Sequence, residues 1–107
     1  MDRLKDKVAL ITGSDSGIGR AIALAYGAEG AKVGVTYRSD EEGGKRTAED
    51  IQAQGSEAIC LHLDVSDETS VTAAFDEIIR QYGKIDILVN NAGVNGSDVP
   101  VAEMNTD

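Results

Sequence analysis

A glycine-rich stretch near the N-terminus constrains the fold of this chain more than any other feature. An apolar run over residues 8–11 leads into Thr12-Gly13-Ser14-Asp15-Ser16-Gly17-Ile18-Gly19, and a helical pattern of apolar residues starts at Ile18. A strand, a glycine-rich turn and a helix in this order offer backbone N–H groups and the positive end of a helix to an anion. The spacing differs from the common Gly-x-Gly-x-x-Gly fingerprint and from a Walker loop, because no Lys follows the last glycine. The stretch predicts a phosphate-binding loop, and the alternative is a plain connection.

The residue types in the stretch suit that role. Gly13 can adopt the positive φ of a sharp exit from a strand, and Gly17 and Gly19 allow a phosphate to approach the backbone closely. Ser14 and Ser16 are expected to add hydroxyl donors at the tip of the loop.

Composition and charge limit the classes of partner. A chain of 107 residues is long enough for one domain with a core. Its net charge of −9, from 10 basic and 19 acidic residues, argues against nucleic acid or an anionic membrane. Cys60 is the only cysteine, so no internal disulfide can form, which suits a reducing compartment. No apolar run approaches the roughly 18 residues of a membrane span. We expect a soluble, cytoplasmic protein.

The rest of the chain alternates between the periods of strands and helices. Strands are predicted over residues 7–12, 31–37, 58–63 and 85–89, and helices over residues 17–29, 39–54 and 66–82. Ser39 with Glu42 forms a capping box for the second helix, and Ser66 can cap the third. Gly43 and Gly44 each cost roughly 1 kcal/mol against Ala, so the second helix is the least secure.

This alternation predicts an α/β fold. Repeated strand–helix–strand units give a parallel sheet with right-handed crossovers. Here they make a partial Rossmann (doubly wound) sheet of about four strands in the order 3-2-1-4, with three helices.

In such a sheet, ligands bind beyond the carboxyl ends of the strands, where the strand order reverses. Polar residues follow all four predicted strands there: Gly13 to Gly19, Tyr37 and Arg38, Asp64 and Val65, and Asn90 to Gly93. The agreement among the four strand ends predicts one nucleotide site more strongly than any single motif does. Residues 1–94 are therefore expected to form a dinucleotide-binding unit, and residues 95–107 an irregular tail that leads to an absent C-terminal half.

On these residues the chain resembles the N-terminal part of a short-chain dehydrogenase/reductase. Thr12-Gly13-x-x-x-Gly17-Ile18-Gly19 is similar to that family's cofactor loop, Asp64-Val65 to its adenine-side dipeptide, and Asn90-Asn91-Ala92-Gly93 to the motif after its fourth strand. The resemblance covers essentially the whole chain. Within the family, Val35 to Ser39 and Asp15-Ser16-Gly17 look most like glucose 1-dehydrogenases, and 3-oxoacyl-carrier-protein reductases come next.

The resemblance implies a role for each group of residues. The loop, made of Gly13, Ser14, Asp15, Ser16, Gly17, Ile18 and Gly19, would hold the pyrophosphate and the adenosine ribose of a nicotinamide dinucleotide. Asp64 would accept a hydrogen bond from the adenine amino group, beside the backbone of Val65. Asn91, Ala92 and Gly93 would pack along the ribose, and Asn90 would tie the strands together. Without the resemblance, Asp64 would be interpreted as an acid that caps the third helix. The two asparagines would be interpreted as part of a turn whose polar groups are hydrogen-bonded.

The end of the second strand bears on the choice of cofactor. An acid there would bind the ribose 2′-hydroxyl of NAD, but the position is Tyr37, and Arg38 follows it. Arg38 can pair with a 2′-phosphate and stack on adenine. NADP is therefore predicted to be accepted and preferred, with NAD as a second cofactor because Asp15 and Ser16 supply no basic side chain in the loop.

The sequence also departs from the family. The resemblance implies proton relay through a Ser and a Tyr-x-x-x-Lys pair, yet no lysine stands four places after Tyr26, Tyr37 or Tyr82. No catalytic residue is predicted. The 107 residues are expected to be inactive alone, as part of an oxidoreductase that moves hydride between NAD(P) and a hydroxyl or carbonyl substrate such as a sugar. The alternative is a stand-alone, non-catalytic nucleotide-binding module.

Two further predictions concern metal and association. His62 and Cys60 are too few ligands for a zinc site, so no metal is predicted. The fourth predicted strand, residues 85–89, is an apolar edge guarded only by Asp86, and an open apolar face lies beside it. We expect the chain to self-associate there, to bind the missing C-terminal half or to be partly disordered at that strand and face. The tail from Asn95 is expected to be mobile in each case.

Overall fold

The structure, a computed structural model, describes residues 2–91 and the strand at residues 102–105. Strands and helices alternate along the chain as predicted, with ends that differ by a residue or two. In chain order the elements are β1 (Val8–Ile11), α1 (Gly17–Ala28), β2 (Lys32–Tyr37), α2 (Glu41–Ala53), β3 (Ala58–His62), α3 (Glu68–Tyr82), β4 (Ile87–Asn90) and β5 (Ala102–Asn105). None of the helices in the described residues is long and apolar enough to cross a membrane.

The sheet confirms the predicted order. Its strands lie in the order β3-β2-β1-β4-β5, and the first four are parallel. β1 lies at the centre, where Ile11 is paired with Val35 of β2 and with Val89 of β4. The carboxyl ends of β1, β2 and β4 therefore meet at one edge, with β3 beside β2.

The strand β5 was not predicted. It pairs antiparallel with β4, with Leu88 opposite Met104, so the expectation that β4 is an unpaired edge strand is wrong. Residues 102–105 carry no β-branched or aromatic side chain, so strand propensity gave no signal there. The rest of the predicted irregular tail, residues 95–101 and 106–107, lies outside the described residues.

The core consists of two apolar clusters, one on each face of the sheet. The cluster under α1 and α2 contains Ala9, Ile11, Ala23, Ala31, Val33, Val35, Ala48, Ile51, Ala58, Ile87 and Val89. The cluster under α3 contains Val8, Leu10, Leu63, Ala74 and Ile78. Because β1 contributes to both clusters, all four of its residues are fully buried. This agrees with right-handed crossovers that place two helices on one face and the third on the other.

The two glycines in the first turn of α2 are explained by close packing. A Cβ on Gly43 would lie 2.7 Å from the carbonyl oxygen of Asp15, and a Cβ on Gly44 would lie 2.9 Å from Cys60 Sγ and 3.1 Å from the Tyr37 ring. The sequence has glycine at both positions, despite its intrinsic cost in a helix, because α2 begins in close contact with the glycine-rich loop, β2 and β3.

Two predicted caps are wrong by one residue. Asp40, not Ser39, caps α2 by accepting a hydrogen bond from Gly43 N at 3.0 Å. Asp67, not Ser66, caps α3 by accepting from Thr69 N at 3.0 Å and from Ser70 N at 3.4 Å. In each case an aspartate directly follows the predicted serine, and its carboxylate carries the charge that a helix N-terminus favours.

The opposite, amino edge of the sheet is held by a buried carboxylate. Asp86 Oδ2 accepts a hydrogen bond from Val8 N at 2.9 Å and lies 3.0 Å from Lys84 Nζ. Burial opposes ionisation of Asp86, but the Val8 N–H and the Lys84 ammonium together hold its pKa below the usual value. The start of β4 is thereby fixed to the start of β1.

Candidate functional site

The glycine-rich loop folds back onto the first turn of α1. Gly13 and Gly17 have φ values of 63° and 57°, in the left-handed region that glycine tolerates. A Cβ on Gly19 would overlap the carbonyl oxygen of Gly13 and would lie 2.6 Å from Asn91 Nδ2. A Cβ on Gly17, by contrast, would meet no atom within 4 Å. The loop is therefore closed on its inner side and open above Gly17.

Two buried hydroxyl groups join the loop to β2. Ser14 Oγ donates to Ile11 O at 2.8 Å and accepts from Thr36 N at 2.8 Å, while Ser14 N donates to Thr36 O at 3.0 Å. Ser14 is fully buried, so the expectation that its hydroxyl stands at the loop tip is wrong. Thr36 was not among the predicted site residues, although a hydroxyl in the otherwise apolar centre of β2 was the available signal.

The start of α1 is open. Ser16 precedes the helix with an extended backbone, makes no side-chain capping hydrogen bond, and is followed by no acidic residue in the first turn. Ser16, Gly17 and Ile18 are exposed, and Ile18 is 68% exposed. The positive end of α1 therefore faces solvent without a side-chain acceptor, as an anion site requires.

The residues after β4 hold the loop from the other side. Asn91 N donates to Thr12 Oγ1 at 2.8 Å, and Asn91 Nδ2 donates to Gly13 O at 3.2 Å. Thr12 Oγ1 also lies 3.3 Å from Asn90 Oδ1, and Thr12 N donates to Val89 O at 3.0 Å. Asn90 and Asn91 thus join the end of β4 to the end of β1. The predicted site residues Ala92 and Gly93 lie outside the described residues.

The ends of β2 and β3 bring a cation and a carboxylate together. Arg38 Nε lies 3.9 Å from Asp64 Oδ2, and the Arg38 side chain is 77% exposed. Asp64 Oδ1 accepts from the Ser66 hydroxyl at 2.7 Å and from Ser66 N at 3.0 Å. These two hydrogen bonds, with Arg38 nearby, hold the pKa of Asp64 below its usual value. Val65 is 42% exposed beside them.

Tyr37, at the end of β2, lies beside the first turn of α2. Its ring lies edge-on to the ring of His62, with 5.5 Å between centroids, and burial raises its pKa. No group of three or more His, Cys, Asp or Glu side chains among residues 2–91 is arranged to hold a metal ion. The site that the strand ends form is therefore polar, open and built around backbone groups, one arginine and one carboxylate.

The sequence model of the short chain dehydrogenase family matches residues 7–107. The chain belongs to this family. Among curated proteins it is 42% identical to general stress protein 39 of Bacillus subtilis over 86% of the chain and 32% of that protein. It is 39% identical to glucose 1-dehydrogenase 2 of the same organism over 97% of the chain and 40% of that protein.

Solved structures agree with this placement. A hydroxysteroid dehydrogenase from Escherichia coli superposes with a TM-score of 0.83 and 37% identity, over 92% of this chain and 43% of that one. The chain therefore spans less than half the length of these relatives. The family and the Rossmann-like fold are established, and the family generally uses NAD(P).

Proposed function

We propose that the carboxyl edge of the sheet binds NADP, and NAD less tightly, with the pyrophosphate at the start of α1. The observation that carries the proposal is that start itself: no side chain caps it, no acid stands in its first turn, and the space above Gly17 is open. Backbone N–H groups and the helix dipole together suit a phosphate there. The residues present thus fit the cofactor that the family uses.

The adenosine end of the cofactor would lie across β2 and β3. Two hydrogen bonds from Ser66 lower the pKa of Asp64, and its carboxylate can accept a hydrogen bond from the adenine amino group. Val65 offers an exposed apolar side chain beside it. The contact of Asn91 with Gly13 supports a position for that asparagine beside the ribose of the cofactor.

Arg38 supports NADP over NAD. Its side chain is mostly exposed, and at 3.9 Å its ion pair with Asp64 is long. An exposed pair of this kind contributes little to stability, so the guanidinium can turn toward a 2′-phosphate at small cost. Tyr37 occupies the strand-end position where an acid would favour NAD.

The complete protein is proposed to be an oxidoreductase acting on a hydroxyl or carbonyl group, with a sugar as the first substrate to test. When bound, NAD(P) supplies or accepts the hydride. The 107 residues hold and orient the cofactor but contain no Tyr-x-x-x-Lys pair to move the proton. We therefore propose that they bind the cofactor without turnover. Hydride transfer between NAD(P) and glucose, an alcohol or an acyl substrate by purified chain of confirmed mass would contradict this.

Titration of Arg38→Ala with NADPH and NADH tests the cofactor proposal. NADPH binding should weaken by about tenfold, the loss expected for one charge-assisted pair, while NADH binding should change little. Arg3→Ala is the matched control, because Arg3 is also exposed but pairs with Glu29 away from the strand carboxyl ends. Equal losses for both cofactors would rule out a 2′-phosphate contact, and absence of NADPH binding by the unmodified chain would refute the site.

A further inference from the structure

The peptide groups of Gly13 are held from two neighbouring strands. Gly13 N donates to Thr36 Oγ1 of β2 at 3.0 Å, and Gly13 O accepts from Asn91 Nδ2, after β4, at 3.2 Å. Gly13 is the residue at which the chain leaves β1, and its φ of 63° sets the direction of the loop. One side chain on each side of β1 therefore holds Gly13 where the loop begins.

Thr36 makes its half of this clamp with a single buried hydroxyl. Thr36 is fully buried, and its Oγ1 accepts from Gly13 N while donating to Ile11 O at 3.0 Å. The same carbonyl of Ile11 accepts from Ser14 Oγ at 2.8 Å. A hydroxyl can donate and accept at once, which an apolar side chain of the same shape cannot do.

We propose that Thr36 is a positioning residue for the dinucleotide, holding Gly13 so that the following backbone N–H groups are oriented for the pyrophosphate. The proposal rests on the proposed function of the loop. Thr36 is fully buried and would touch no part of the cofactor, so its hydroxyl would act on binding through the Gly13 N–H.

Loss of the Thr36 hydroxyl is expected to lower cofactor affinity by reducing the fraction of chains whose loop has the binding-competent conformation. Without the Thr36 hydroxyl, Gly13 N loses this acceptor, and a partly buried donor left unpaired is costly. Turning this N–H toward water then lowers the free energy of the loop, and that rotation moves Gly13 and the turn that follows it. Apparent affinity falls in proportion to the fraction of chains that keep the competent conformation. The apparent affinity of a ligand that does not occupy the pyrophosphate position does not depend on this fraction.

Two variants and two probes separate positioning from general damage. Thr36→Val keeps the shape and removes the hydroxyl, whereas Thr36→Ser keeps the hydroxyl. We expect Thr36→Val to weaken NADPH binding by about tenfold and to leave the binding of adenosine 2′-monophosphate, which has no pyrophosphate, unchanged. Thr36→Ser should restore NADPH binding. Calorimetric titration measures all of these affinities.

Equal weakening of both probes by Thr36→Val, or no weakening of either, would overturn the proposal. Unmodified chain that binds adenosine 2′-monophosphate but not NADPH would refute the pyrophosphate site itself, and chain that binds neither would refute the whole proposed function. Amide exchange in the unmodified chain keeps the test decisive if Thr36→Val does not fold. The Gly13 amide should exchange as slowly as the amides inside β1, and fast exchange at Gly13 would show that the clamp is absent.

Discussion

The three helices in the described part of this chain begin in two different ways. α2 and α3 start behind an aspartate, Asp40 and Asp67, whose carboxylate accepts hydrogen bonds from the first turn. The first turn holds two glutamates in α2 and one in α3. α1 starts behind Ser16, which makes no such bond, and its first turn has no acid. The same fold thus caps two helices and leaves the third open.

The difference shows where the chain gives up stability. A side-chain cap contributes about 1 kcal/mol to a helix, and acids near its start add a few tenths to about 1 kcal/mol. α1 forgoes both, although the chain has 19 acidic residues to supply them. An unsatisfied helix start that faces solvent is what a phosphate can complete, and four experiments test this contrast.

Gly19→Ala should have the largest effect. The added Cβ would overlap Gly13 O and press on Asn91 Nδ2, both of which shape the open helix start. We expect NADPH affinity to fall by about a hundredfold and the free energy of unfolding to fall by about 2 kcal/mol. Gly83→Ala is the control: Gly83 ends α3 with a positive φ and open surroundings, so it should lose stability without losing affinity. Unchanged NADPH binding by Gly19→Ala would show that the close approach at Gly19 is unimportant.

Ser16→Asp would make α1 begin like α2 and α3. The new carboxylate should raise the free energy of unfolding by about 0.5 kcal/mol through the helix dipole. It should also weaken NADPH binding by about tenfold, because a negative charge would then occupy the anion site. Ser16→Asn is the neutral control. If affinity and stability rise together in Ser16→Asp, the pyrophosphate does not bind at this helix start.

Asp67→Ala tests the capped end. Loss of the acceptor for Thr69 N and Ser70 N should lower the free energy of unfolding by about 1 kcal/mol. NADPH affinity should stay the same, and Asp67→Asn, which keeps an acceptor oxygen, should lose less stability. Thermal unfolding and titration measure the two quantities. A loss of affinity comparable to that of Ser16→Asp would contradict the division between capped and open starts.

Ser66→Ala should have the smallest effect, on the pKa of Asp64. Removing the hydroxyl donor should raise that pKa toward its ordinary value, while the Ser66 N–H contact remains. Because the folded pKa is now depressed, ionised Asp64 stabilises the fold above the unfolded carboxyl pKa. That contribution is lost as the pH falls through the folded value, and in the variant it should be lost at a higher pH. A carboxyl NMR titration measures the pKa, and an unchanged value would exclude the Ser66 hydroxyl as a cause of the depressed pKa.

The parts of the site that depend on chain order could be predicted, and those that depend on tertiary packing could not. The loop, Arg38, Asp64 and the two asparagines each follow a strand, so their meeting at one edge follows from parallel topology. The burial of Ser14 and the hydrogen bond from Gly13 N to Thr36 depend on how far β2 extends beside the loop. The local sequence pattern does not show that extent. The two glycines made α2 the least secure of the predicted helices, because helix propensity takes no account of how closely Asp15 and Tyr37 approach them. The caps were wrong by one residue because a serine and an aspartate stand side by side at both places.

The bond between Asp86 and Val8 also implies an order of events in folding. It joins positions 78 residues apart, as does the bond from Asn91 to Gly13, whereas β1, β2 and β3 pair through successive strand–helix units. Closing so long a loop is slower and loses more chain entropy than closing a short one. During synthesis the first three strands can assemble before β4 has emerged. The hydrogen bond from Asn91 to Gly13 then forms last. The chain can therefore hold a cofactor only after β4 has paired with β1.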